Sequence, residues 1–198
     1  GDGDLQEGIS YEACALAGHL GLKDMVLIYD NNCITIEGDT SIAWSEDVAK
    51  RFEAQNWNVM KINGHCYDDI EKALDEVKSA TKPTIIIANT IIGKGAGELE
   101  GTHHTHGAPL GDKIIAESKE KEGFDPEVTF QIPEDVLIRF RCALENGELA
   151  EKEWIHRQKE APLIEQNLAL EKLQNPDFSA IEFPDFSGDA AMATRDSN

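Results

Sequence analysis

The chain lacks any apolar run approaching the roughly 18 residues of a membrane span, and it has no secretory apolar core. Membrane insertion is therefore not expected. Positive charge is also scarce, with 18 basic against 38 acidic residues and a formal charge of −20. Such a balance repels polyphosphate backbones and argues against nucleic acid as a partner. An anionic ligand would have to be held by local donors, a metal or a few placed cations. Cysteine is sparse and scattered. Cys14, Cys33, Cys66 and Cys142 show no CxxC spacing, so neither a zinc site nor a disulfide framework is suggested, and a reducing cytoplasm is the simplest setting. Organellar targeting by a segment ahead of Gly1 stays open. No initiator methionine is present and the chain stops at ATRDSN in mid-pattern. The expectation is a piece of a longer protein, long enough for one well-buried domain or for one domain plus an arm of the next.

What is present alternates. From Leu5 to Leu20, Ile9, Ala13, Leu16, Ala17 and Leu20 recur at three and four, the stripe of a helix buried on one side. MVLIY (25–29) reads as a short strand buried on both faces. SEDVAKRFEAQ predicts a helix with Val48 and Phe52 inward, and WNVMKI a strand. YDDIEKALDEVKSA predicts a helix with Ile70, Ala73, Leu74 and Val77 on one face, capped by Asp68 or Asp69. TIIIANTII (84–92) is a third buried strand. Strands alternating with helices predict an α/β fold, a doubly wound, mostly parallel sheet with helices on both faces, whose ligands sit beyond the carboxyl ends of the strands.

Three motifs fall at those ends: Gly1-Asp2-Gly3 heads a helix, Asp30-Asn31-Asn32 follows the first strand, and GKGAGELEGTHHTHGAPLG follows the third. Each alone reads as a turn. Together they suggest a metal-diphosphate cradle. Magnesium favours hard oxygen ligands at about 2.1 Å, shared between one or two protein carboxylates and phosphate oxygens. Asp2 offers a carboxylate, Asn32 an amide oxygen and Ile34 a main-chain carbonyl. Gly1 and Gly3 let the backbone approach phosphates, Gly3 N–H can point at them, and the following helix could add its N-terminal dipole.

At this point GDGDLQEGISYEACALAGHLGL, YDNNCITIEG, TIIGKGAG and GTHHTHGAPLG resemble the thiamine-diphosphate motif in its transketolase version. The resemblance is specific over residues 1–110, looser through the helical stretch after them, and resumes at ATRDSN. It implies residues 1–110 as the end of a diphosphate-binding domain, 111–174 as a helical outer layer or arm, 175–188 as a linker, and 189–198 as the start of a truncated pyrimidine-binding domain. It implies thiamine diphosphate as cofactor with Mg2+, Ca2+ or Mn2+ being alternatives. Asp2, Asn32 and Ile34 would be the metal ligands, and Gly3 and Asn32 would touch the diphosphate. Ile36 would press on the cofactor rings, its alternative reading being plain core. His106 would contact cofactor and substrate as a catalytic group, since imidazole can donate to a sugar carbonyl or shuttle a proton. Glu7 and Glu12 would lie at a homodimer interface and help couple two active sites; otherwise they are solvated charges. Arg195 would grip the phosphate of a sugar substrate, although Asp196 stands where the family pattern has a basic residue.

The implied activity is transfer of a two-carbon ketol unit from a ketose phosphate to an aldose phosphate. The family's activating carboxylate and ring-stacking aromatics belong to the pyrimidine domain of a partner subunit, so the 198 residues alone are expected to be inactive. Deoxyxylulose phosphate synthase, dihydroxyacetone synthase, a split enzyme and a non-catalytic cofactor-binding module are the alternatives. His103 and His104 lack a helical metal-ligand spacing. His65 reads as part of a turn, His19 and His156 as helix residues, and Trp44, Trp57 and Trp154 as packing. Lys94, in the glycine-rich loop, receives no role.

Overall fold

The first half of the chain runs α1 (Gly8–Leu20), β1 (Val26–Asn31), β2 (Ile34–Thr35), β3 (Gly38–Asp39), α2 (Val48–Ala54), β4 (Asn58–Asn63), α3 (Tyr67–Glu76) and β5 (Thr84–Asn89). α4 (Asp112–Lys121) and α5 (Glu134–Glu160) follow. This computed structural model describes residues 1–160, 172–173, 175–179 and 181–182. They fall into two units, Gly1–Gln131 and Ile132–Asn198. Arg195, the stretch 189–198 and most of 161–188 lie outside the described residues.

β1, β5 and β4 form a parallel sheet in that order, with Asn31, Asn63 and Asn89 level at the carboxyl edge. The strand added last in sequence is thus the central one. The crossover through α2 moves outward from β1 to β4 and the one through α3 moves back to β5. Because such crossovers are right-handed, the two helices fall on opposite faces of the sheet. The expected α/β architecture is observed. On the α1/α2 face, Cys14, Ala17, Val48, Phe52 and Trp57 pack with Tyr29, Ile85 and Ile87 into one core. Val48 and Phe52 point inward as expected, and Phe52 meets Trp57 edge to face at 5.1 Å.

Several local expectations are corrected. β5 is buried along Thr84–Ala88, but β1 is not buried on both faces: among the described residues it is an edge strand, and Ile28 is 61% exposed. The α1 stripe is turned. Cys14, Ala17 and Gly18 face the core, while Ile9, Ala13, Leu16 and Leu20 are exposed. The inner face is chosen by closeness of approach: a Cβ on Gly18 would lie 1.8 Å from the Gln55 carbonyl oxygen. α1 also begins at Gly8, because a single 3-10 turn, Asp4–Gln6, intervenes.

In α3 the N-cap is Cys66, and Asp69 instead accepts from Asn63 N at 3.1 Å; Leu74 is exposed. In the second unit α5 runs without interruption through Asn146-Gly147. One glycine costs a helix interior only about 1 kcal/mol, too little to interrupt 27 residues. Trp154 is 48% exposed. Among the described residues no helix is long and apolar enough to cross a membrane.

Candidate metal and diphosphate cradle

The cradle is assembled at the carboxyl edge of the sheet by three loops. Asp2 is held against β1, where Tyr29 donates its phenolic proton to Asp2 Oδ1 at 2.6 Å. Asp2 is 3% exposed, and its other oxygen, Oδ2, is buried without any hydrogen-bond partner. An ionised carboxylate oxygen left so is costly unless a cation or donor meets it. Beyond β1, Asn32 Oδ1 accepts from Ile34 N at 2.9 Å. This turn carries Cys33 in the left-handed region, φ 61°, and leaves one lone pair on the amide oxygen. The chain then folds back as the β2–β3 hairpin, placing Ile36 in its two-residue turn.

The third loop leaves β5. Thr90 Oγ1 donates to Asp30, and Ile91 N donates to His65 Nε2 at 2.9 Å, so the turn after β4 steadies the start of this loop. Gly93 has φ 61°, and a Cβ there would lie 2.6 Å from Thr105. Only glycine lets the GKG segment close against the histidine segment. His103 and His104 stack at 4.1 Å, and His106 follows that turn.

These loops border one cavity of about 730 Å³, lined by Asp2, Gly3, Asn32, Ile34, Ile36 and His106 among others. Six of the proposed site residues are thus brought together. Glu7 lines the cavity too, as the N-cap of α1. Glu12 does not, lying exposed on α1. Ile36 is 68% exposed, which overturns its reading as plain core. A Cβ on Gly3 would meet nothing within 4 Å, so open space lies before that backbone. The helix dipole expected directly after Gly3 is displaced, since α1 starts five residues later.

Among the described residues no cluster of three or more His, Cys, Asp or Glu could hold a metal. A cation here would rest on the single orphaned carboxylate oxygen of Asp2 and on neutral oxygens. That donor set suits a hard divalent ion that keeps room for phosphate. It gives the three histidines no role as a zinc site.

Two features were not read from the sequence. Asp30 puts a further carboxylate on the cavity wall, where Asn32 Nδ2 donates to it at 3.2 Å. Its place at the end of an apolar strand, ahead of Asn31-Asn32, was the available signal. Behind the cradle, Arg51 donates to the Leu5 carbonyl at 3.0 Å, and its Nε lies 3.2 Å from Glu46 Oε1. Tyr11 OH and Trp44 Nε1 both donate to Glu46 Oε2, at 2.6 and 3.1 Å. Arg51 also sits 4.1 Å from the Tyr11 ring centroid. The carboxylate that receives the Tyr11 proton, helped by burial, raises the phenol's pKa. This half-buried knot ties the turn after Gly3 to α1 and α2; its members are too far apart in sequence to be read together.

Comparison with known proteins gives a consistent assignment. Residues 1–174 match the family described as "Transketolase, thiamine diphosphate binding domain". A probable transketolase of Schizosaccharomyces pombe is 42% identical over 98% of this chain and 30% of its own length. The Aquifex aeolicus transketolase is 42% identical over 90% of this chain and 26% of its own. The crystal structure of transketolase from Campylobacter jejuni superposes with a TM-score of 0.84 at 53% identity, over 93% of this chain and 29% of that one. A Pichia stipitis transketolase in complex with sedoheptulose 7-phosphate superposes with a TM-score of 0.81 at 34% identity, over 98% of this chain and 30% of that one. The chain therefore spans about 30% or less of the length of these relatives.

Proposed function

The chain belongs to the transketolase family, and from that premise we propose that it supplies the diphosphate and metal side of a transketolase active site. The observation that carries the reading is Asp2, a buried carboxylate with one oxygen hydrogen-bonded and the other orphaned. It borders the cavity that also receives Asn32, Ile34, Ile36 and His106. Asp2, Asn32 and the Ile34 carbonyl would hold a divalent cation, Mg2+ in the first instance. The open backbone at Gly3 admits the diphosphate, and Ile36 offers an exposed apolar side chain to the cofactor rings. When bound, thiamine diphosphate would supply a nucleophilic thiazolium carbon and an electron sink. His106 donates a hydrogen bond to the donor sugar's carbonyl oxygen, or moves its proton.

The reaction is transfer of a two-carbon ketol unit between sugar phosphates, with Arg195 binding the substrate phosphate. The Pichia stipitis relative's complex with a seven-carbon sugar phosphate supports that substrate class. The active site is shared between subunits of a homodimer, Glu7 and Glu12 lying at the interface. The uncovered stripe Ile9, Leu16, Leu20 on the same helix supports that reading. The domain bounds 1–110, 111–174, 175–188 and 189–198 and a cytoplasmic setting complete the proposal.

The test is Asp2→Ala in the intact protein. Disturbing an outer-shell partner of a metal costs about 10–100-fold, so removing a ligand should weaken metal-dependent thiamine diphosphate binding by more than about 100-fold. Calorimetry would read the binding, and an assay with xylulose 5-phosphate and ribose 5-phosphate the activity. Unchanged cofactor binding in a folded variant would overturn the proposal.

A further inference from the structure

We propose that Tyr29 is a positioning residue for the metal, fixing the Asp2 carboxylate so that Oδ2 alone is presented to it; this rests on the cradle reading above. Odd-numbered side chains of β1 face away from Asp30 and the cradle, as the period of a strand requires. On that hidden side runs a file of polar groups, unusual for the end of an otherwise apolar core face. Tyr29 Oη lies 2.6 Å from Asp2 Oδ1 and 2.9 Å from Asn31 Oδ1, and Asn31 Nδ2 lies 2.7 Å from Asn89 Oδ1. Asn31 and Asn89 are register partners at the carboxyl edge.

A phenol carries one proton, and the closer, charged acceptor is the Asp2 carboxylate. Asn31 Oδ1 is the longer, second acceptor for Tyr29 Oη, and Asn31 Nδ2 donates to Asn89 Oδ1.

Asp2 borders open space on this side as well. Behind it lies a second cavity of about 350 Å³, bordered by Asp2, Tyr29, Asn31 and Asn89. The carboxylate can turn into that space unless the phenol holds it. A turned carboxylate would offer the metal the wrong oxygen or none, while Gly3 and the diphosphate surface would be untouched. Tyr29 therefore acts on the metal and not on the cofactor directly.

The experiment is Tyr29→Phe in the intact protein stripped of cofactor and metal, with Mg2+ titrated at fixed thiamine diphosphate by calorimetry and circular dichroism recorded alongside. The expected result is a shift of the Mg2+ half-saturation to higher concentration by about 10–100-fold, the usual effect of losing an outer-shell partner. Thiamine diphosphate affinity at saturating Mg2+ should be unchanged. Asn31→Ala, one bond further back, should shift it less. If Tyr29→Phe titrates like the unsubstituted protein while Asp2→Ala loses metal-dependent binding, the inference fails and the cradle stands. If the unsubstituted protein itself shows no metal-dependent binding, the cradle reading fails and takes the inference with it. A variant whose metal and cofactor affinities fall together with its ellipticity would assign Tyr29 to packing alone and likewise overturn the proposal.

Discussion

The two faces of α1 differ in a way opposite to their hydrophobicity. The buried face is small and weakly apolar, built from Cys14, Ala17 and Gly18, whereas the exposed face carries Ile9, Leu16 and Leu20. What holds the buried face is a set of backbone carbonyls. Gln55, Asn56 and Trp57 donate from consecutive side chains to the carbonyls of Tyr11, Gly18 and Cys14, at 3.5, 3.4 and 2.8 Å. Asn56 reaches its partner from a left-handed conformation, φ 67°. Such bonds to helix carbonyls require close approach, and close approach requires small residues. The larger residues are left for some other surface, which we have proposed to be a second subunit.

The comparison can be broken from its buried side first. Phe52 is fully buried and packs on Trp57, the residue that donates to Cys14. Phe52→Ala should destabilise by about 3–5 kcal/mol, read as a shift of the urea midpoint. Next comes Gly18→Ala, which drives a methyl onto the Gln55 backbone oxygen and should cost about 1–3 kcal/mol by overpacking, occasionally more. A Gly18→Ala protein as stable as its parent would mean that helix propensity, not approach distance, sets this face. The smallest effect is expected on the outer face. Leu16→Ser in the 198-residue chain should change stability by no more than about 0.5 kcal/mol, as at ordinary surface sites. In the assembled protein the same substitution should weaken subunit association, measured by sedimentation. No change in either setting would remove the outer stripe from the interface.

Much of this was legible beforehand, for identifiable reasons. TIIIA reads as a buried strand because β5 is the central strand and is covered on both faces. MVLIY is as apolar but lies at an edge among the described strands, where Ile28 is exposed. Composition cannot tell a central strand from an edge one. The loops at the carboxyl edge were legible because Asp2, Gly3, Asn32 and His106 are unusual residue types in unusual places, and the cavity gathers them. Their supports were not. Tyr29 looked like one more apolar strand residue, and nothing in the sequence marked Arg51 and Glu46, because what distinguishes them is a partner 27 or more positions away or a backbone carbonyl. The hairpin that exposes Ile36 was missed because two strands of two residues carry no periodicity.

The order β1-β5-β4 also governs how the fold can be made. Among the described strands, β1 and β4 pair only through β5, so neither meets its described partner until Thr84–Asn89 has left the ribosome. Long-range parallel pairing of this kind is slow because chain closure precedes its reward. A nascent chain halted before residue 84 therefore lacks the strand that joins β1 to β4, and that is where a holding chaperone would help most.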